Sequence, residues 1–188
     1  NHDALTDLPN RVMLLDALNH AINLSTRHST KVGVLFIDLD DFKKINDTAG
    51  HHEGDRYLIE FSNRVKSALK RGDIVGRLGG DEFVVIVEDI QDVLDIIQIN
   101  ERILTLCEAP FYIKDKKYYM SCSIGVGISP DDSANADDLI RKADMAMYQA
   151  KKSGKNTYHF FDEKLDKIAL ASVLLEEQLR EAIAKDEF

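Results

Sequence analysis

The sequence predicts an α+β fold built on a βαββαβ core, with a central, mostly antiparallel sheet flanked by helices. Three observations carry this reading. Apolar runs of strand length alternate with longer segments whose apolar residues recur at helical spacing. The glycine pair Gly79-Gly80 separates two strand-like segments at the spacing of a tight hairpin, whose turn needs positive φ. Val32, Val34 and Phe36 alternate with Leu35 and Ile37, so this run is apolar on both faces, as a central strand is.

Each element follows in order. Residues 10–27, after Pro9-Asn10, place Val12, Leu15, Leu18 and Ile22 at helical spacing. Lys31 to Leu39 is the central strand. A polar connection, Asp40 to Gly54, leads into a helix with the stripe Leu58, Phe61, Val65 and Leu69, which Arg71-Gly72 ends. Residues 74–78 and 83–88 form the hairpin. Residues 90–107 read as an amphipathic helix through Val93, Ile96, Ile97, Ile103 and Leu104. Two strands follow, Phe111–Lys114 and Lys117–Ile128, turning at Asp115-Lys116. An alanine-rich helix, 136–152, is one that Gly154 can terminate. Tyr158–Phe161 is a short strand. Residues 163–185 make a last amphipathic helix through Leu165, Ile168, Leu175, Leu179 and Ile183. This order predicts a ferredoxin-like layout with the helices on one side of the sheet.

At 188 residues the chain has the length of one domain with an appended helix. A net charge of -9 argues against a general nucleic-acid surface and against contact with anionic membranes, but not against a small phosphorylated ligand held by metal and a few lysines. Cys107 and Cys122, far apart in sequence and in apolar contexts, read as buried thiols, which suits a reducing cytoplasm. No run has the length of a transmembrane helix and no signal peptide is visible, although a longer parent protein can still be tethered to a membrane. The chain starts without methionine and stops inside a helical pattern, so a larger parent is expected.

Two acidic clusters stand out. Asp38-Leu39-Asp40-Asp41 closes the central strand, and Asp81-Glu82 opens the second strand of the hairpin. An unpaired buried carboxylate is costly, so a cation is the natural partner. In a βαββαβ core these strands are neighbours, which lets Asp38 and Asp81 share one ion, with the Leu39 carbonyl as a further ligand. Hard oxygen donors suit Mg²⁺, which takes one or two carboxylates and leaves the rest to water and phosphate. Two such ions can activate a hydroxyl for in-line attack on phosphorus. The plainer alternative makes these acids turn formers and helix caps. Lys43 can touch phosphate, and Asn46 either reads a base edge or serves a turn. Asp55 is either a dipole-favoured acid in the first turn of the next helix or an acceptor for guanine N1 and its exocyclic amine. Lys151 and Lys155 straddle a helix C-terminus, where charge compensation alone accounts for them.

Taken together, these segments resemble the GGDEF family of diguanylate cyclases over nearly all of residues 2–161. The motifs are Asp3-Ala4-Leu5-Thr6-Asp7-Leu8-Pro9-Asn10-Arg11; Ile37 to Asp47; Gly50-His51-His52-Glu53-Gly54-Asp55; Arg77 to Phe83; Ser123-Ile124-Gly125-Val126; and Ala143 to Lys151 with Gly154-Lys155-Asn156. The resemblance implies a cyclase-palm-like domain over residues 1–161 that condenses two GTP molecules to cyclic di-GMP across a homodimer. It implies Mg²⁺ (or Mn²⁺) held by Asp38, the Leu39 carbonyl and Asp81. Asp81 would help deprotonate the attacking 3′-hydroxyl, and Glu82 would add charge beside it. Asn46 and Asp55 would read guanine, while Phe42, Lys43, His51, Lys151 and Lys155 would line the phosphates or ribose. Lys155 stands where the family often has arginine, keeping charge but losing a bidentate fork.

Two further expectations come with the resemblance. The family's product-inhibition motif, Arg-x-x-Asp, here reads Lys70-Arg71-Gly72-Asp73, and lysine lacks the planar fork that grips phosphate. Weak or absent feedback inhibition is the expectation. Residues 162–188 resemble a connector into an EAL phosphodiesterase domain in cis, which leaves a second role open: a catalytically silent GTP sensor controlling that domain.

Overall fold

Apolar side chains on both alternations of Val32–Ile37 leave this strand no solvent face, and the fold is organised around it. The computed structural model describes residues 1–186. Its elements are α1 (Arg11–His28), β1 (Lys31–Leu39), α2 (Phe42–Ala49), α3 (His51–Ala68), β2 (Ile74–Gly79), β3 (Glu82–Ile90), α4 (Val93–Cys107), β4 (Phe111–Ile113), β5 (Lys116–Tyr118), β6 (Cys122–Ser129), α5 (Ala136–Lys152), β7 (Thr157–Phe160) and α6 (Glu163–Asp186). Glu187 and Phe188, the end of the connector-like tail, lie outside the described residues.

The main sheet has the order β2-β3-β1-β6-β7. β1 runs antiparallel to both β3 and β6, and β7 joins β6 in parallel as an edge. The βαββαβ core and the mostly antiparallel sheet are therefore as expected. The one-sided helix layer is not. Leu35, Ile37, Val85 and Ile124 pack under α3 and α4, whereas Val34, Phe36, Val84 and Ile86 pack under α1 and α5. Because both alternations are apolar, both faces must be covered. α5 lies close on β6 because Gly125 has no side chain; a Cβ there would run into the backbone of Ala143 and Met147.

Several local expectations shift. The connection after β1 is itself helical: α2 has no fully buried residue and is held through Phe42 and Ile45. Gly50, at φ 91°, ends α2 and opens α3, so Asp55 sits in the second turn and not the first. α3 stops at Ala68, before Arg71-Gly72. The hairpin loop is Gly80-Asp81, closed by the Gly79–Glu82 pair, so Asp81 lies in the turn. The second turn is Lys114-Asp115, both at positive φ, and the expected long strand breaks at Tyr119–Ser121. α1 buries Leu14, Leu18 and Ile22 while Val12 is exposed. α6 fully buries only Ala169 among its described residues, leaving Ile168, Leu175, Leu179 and Ile183 exposed. Cys107 and Cys122 are free, buried and neighbours, and the contact with Cys107 followed by burial pushes the Cys122 thiol up.

Candidate active site

Antiparallel pairing sets Asp38 of β1 opposite Glu82 of β3, and the Leu39 N–H donates to the Asp81 carbonyl at 3.2 Å. This register brings the two acidic clusters together at one end of the sheet. The carboxyls of Asp38 and Asp81 lie within hydrogen-bonding reach. Burial, then Asp81, pushes Asp38 up to about 8, and Lys151 only partly offsets them. Asp38 Oδ1 is buried without a hydrogen-bond partner. Glu82 is raised by burial, then by Asp144 on α5 and by Asp81. Like-charged carboxyls this close favour either a shared proton or a cation between them.

Lys151, at the end of α5, supplies part of that positive charge. Its Nζ donates to Asp40 Oδ1 at 2.8 Å, to the Leu39 carbonyl at 3.0 Å and to the Asp38 carbonyl at 3.4 Å, and stands 3.9 Å from Asp38 Oδ2. The carbonyl expected to ligate metal thus accepts from an ammonium. Lys155 Nζ pairs with Asp41 at 2.8 Å. Asp40 is the residue that sequence reading undervalued. Only 5% exposed, it accepts from Lys151, Ser121, Ser123 and the Asn156 N–H. Burial raises it, but those bonds prevail and hold it below the ordinary carboxylate range. Asp40 therefore fastens β1 to β6 and to the α5–β7 turn.

Among the described residues no three His, Cys, Asp or Glu side chains converge in metal-binding geometry. The donors present are two carboxylates, one of them with an orphaned oxygen, and a strand-end carbonyl. That set fits Mg²⁺, which needs no more protein ligands than these.

Asn46 of α2 reaches α3 at Gly54, one residue before the exposed Asp55. Gly54, beside Asp55, has no Cβ because the Asn46 carboxamide oxygen occupies that space, with Phe42 next to it. Phe42 is half-buried, its ring 6.0 Å from that of Tyr57, so it also packs in the core. Lys43 and His51 are exposed.

A clamp behind the turn went unread in the sequence. Arg77 of β2 donates through Nε and Nη2 to the Gly80 carbonyl, at 3.0 and 2.8 Å, and through Nη1 to both Asp3 oxygens, at 3.0 and 3.1 Å. Asp3 in turn accepts from Thr6. The N-terminal segment thereby fixes the loop that carries Asp81. On the far side of β2, Lys70, Arg71 and Asp73 line an open groove of about 540 Å³ with Asp7 and Lys66. The Asp73 carboxylate there accepts from the Lys70 N–H at 3.1 Å.

The family profile described as "Diguanylate cyclase, GGDEF domain" matches residues 1–157. The chain belongs to the GGDEF family. Among curated relatives, this GGDEF chain is 39% identical over 98% of its length to "Bifunctional diguanylate cyclase/cyclic di-GMP phosphodiesterase MucR" of Pseudomonas aeruginosa, covering 27% of that protein. It is 38% identical over its whole length to "Cyclic di-GMP phosphodiesterase PdeR" of Escherichia coli, covering 28% of it. The chain thus spans little more than a quarter of these relatives. A solved structure comprising only the GGDEF domain of TpbB (YfiN) from Pseudomonas aeruginosa superposes with a TM-score of 0.84 at 35% identity, over 89% of this chain and 98% of that one. No helix among the described residues of this GGDEF domain is long and apolar enough to cross a membrane.

Proposed function

We propose that this domain is a diguanylate cyclase, condensing two GTP molecules into cyclic di-GMP with loss of two pyrophosphates across a homodimer. The observation that carries the proposal is the Asp38–Asp81 carboxyl pair beside Lys151, at the meeting of β1 and β3. Asp38, Asp81 and the Leu39 carbonyl would hold Mg²⁺ (or Mn²⁺). When bound, the ion supplies charge neutralisation for the triphosphate and lowers the cost of the attacking alkoxide. Asp81 takes the proton from the 3′-hydroxyl, with Glu82 adding negative charge beside it. Asn46, whose place is left open by Gly54, and Asp55 read the guanine edge. Phe42, Lys43, His51, Lys151 and Lys155 line the phosphates and ribose. Each 3′-oxygen attacks the α-phosphorus of the opposite nucleotide as the bond to pyrophosphate breaks. Such chemistry asks for positioning and charge more than for covalent help.

A second reading is a catalytically silent GTP-binding module that controls an EAL phosphodiesterase domain in cis. The whole-length similarity to PdeR and the exposed apolar face of α6 favour it. In this division residues 1–161 form the cyclase domain and 162–188 the connector, within a cytoplasmic portion of the parent protein. Incubation of dimeric protein with GTP and Mg²⁺ tests both. Cyclic di-GMP formation supports the cyclase; bound GTP without product, in dimers as in monomers, replaces it with the sensor.

A further inference from the structure

Between the two site lysines sits Ser153, the residue that caps α5. Its hydroxyl lies 2.9 Å from Nε2 of His159 on β7, and His159 Nδ1 lies 2.8 Å from Asp166 Oδ2 in the first turn of α6. A carboxylate only accepts, so Nδ1 donates to Asp166; the Ser153 hydroxyl, also 2.8 Å from the Gln149 carbonyl, has one proton to share between that carbonyl and Nε2. The other Asp166 oxygen accepts the Phe160 N–H at 2.9 Å, fastening α6 to the edge strand.

Just beyond Ser153 the backbone passes through three residues of positive φ: Gly154 at 108°, Lys155 at 65° and Asn156 at 49°. Two of these carry a Cβ, so the turn is costly and persists only where its surroundings fix it. One end is fixed by Asp40, which accepts the Asn156 N–H at 2.9 Å. The other is tied to the end of α5, where the Ser153 N–H and hydroxyl meet the Gln149 carbonyl and the Lys155 N–H meets the Ala150 carbonyl, and His159 adds the tertiary contact to the Ser153 hydroxyl. Lys155 projects from the middle of the turn, and Lys151 lies three residues before its first residue, Gly154.

We propose that His159, clamped by Asp166, is a positioning residue for Lys151 and Lys155, so that the seating of α6 sets the domain's affinity for a nucleoside triphosphate. The inference rests on reading the cleft as a GTP site. When α6 lifts, Asp166 leaves the imidazole, Ser153 keeps Gln149 but loses the partner that ties it to β7, and the turn bearing Lys155 slackens. α6 buries so little of its apolar surface that lifting it exposes few core atoms. Linkage makes the effect reciprocal: triphosphate binding favours the seated helix.

The test measures binding of a non-hydrolysable GTP analogue with Mg²⁺ by calorimetry. Wild type is compared with Ser153→Ala, His159→Asn and Asp166→Asn, and each is also followed by thermal unfolding. Asparagine at 159 keeps a donor for Asp166 but does not reach Ser153, so His159→Asn retains the α6 clamp. His159→Asn is expected to melt as wild type does yet bind as Ser153→Ala does, each about fivefold weaker, the scale of one lost hydrogen bond. In turnover the same variants raise KM by that factor with kcat nearly unchanged. A wild type that binds the analogue while His159→Asn and Ser153→Ala bind it equally well overturns this inference alone. A wild type that binds no analogue removes the GTP reading and this inference with it.

Discussion

Asp38 and Asp81 approach within hydrogen-bonding reach across the β1–β3 ladder, and Asp38 Oδ1 is buried with no hydrogen-bond partner. Substituting Asp81→Asn removes a charge that helps to push Asp38 up. In chelator, the variant is expected to melt no lower than wild type, and the stabilisation that Mg²⁺ gives wild type is expected to be lost. Turnover of GTP should disappear. Wild-type rates in Asp81→Asn would take that residue out of the mechanism.

The Arg77 clamp joins the N-terminal segment to the turn through a side chain only 12% exposed. Arg77→Ala frees the Gly80 carbonyl and strands the Asp3 carboxylate. Urea unfolding should show a loss of about 2 kcal/mol, the range for hydrogen bonds to charged groups. The double variant with Asp3→Ala should lose less than the sum of the single variants, because both remove the same ion pair.

Gly54→Ala separates binding from stability. The added methyl meets the flexible end of Asn46, which can swing away, in contrast to the backbone that Gly125→Ala would strike. GTP affinity should fall by about tenfold, about 1.4 kcal/mol, while the melting temperature changes little. Equal affinity in the variant would argue against Asn46 as a guanine reader.

Glu101 of α4 predicts a pH dependence. Burial, then Glu176 across the groove on α6, raises its carboxyl above the ordinary glutamate value; Tyr158 and Arg180 face the same groove and act oppositely. Folded protein therefore holds this proton more tightly than unfolded protein. That contribution is complete below the ordinary glutamate value of 4.5 and is lost as pH rises past it towards the folded value. Melting curves from mildly acidic to neutral pH should show a decline that Glu101→Gln makes shallower. Identical slopes in both proteins would contradict this.

Lys70, in place of arginine in the inhibitory motif, predicts weak product feedback. Initial rates of GTP consumption should stay flat as cyclic di-GMP is added in excess over protein. Lys70→Arg should introduce inhibition. A wild-type rate that falls steeply with added product would show that the groove beside Asp73 binds without the fork.

The strands and the long helices were legible because burial writes a period into the chain. β1 and β3 are nearly continuous apolar runs, and the two acidic clusters they carry do meet. The α2 helix was not legible: it buries no residue completely, and Phe42 and Ile45 alone are too short a pattern to separate from a loop. Two-sided covering of the sheet was implicit in Val34, Phe36, Val84 and Ile86, which would otherwise face water. The roles of Asp40 and Arg77 could not be read locally. Asp40 joins residues more than 80 positions away, and Arg77 meets Asp3 across 74. Such bonds leave no periodicity in sequence. Nor did the exposed stripe of α6 announce itself, since an apolar face looks the same in sequence whether covered or bare.

β1 is hydrogen-bonded along both edges and buried on both faces, so no small fluctuation can expose its amides. Hydrogen–deuterium exchange over residues 33–37 should proceed only through complete unfolding, slower than anywhere on α2 or α6. Every folded copy then keeps its acid pair assembled, and any signal that tunes the domain has to work on the mobile periphery instead of on the strand that bears Asp38.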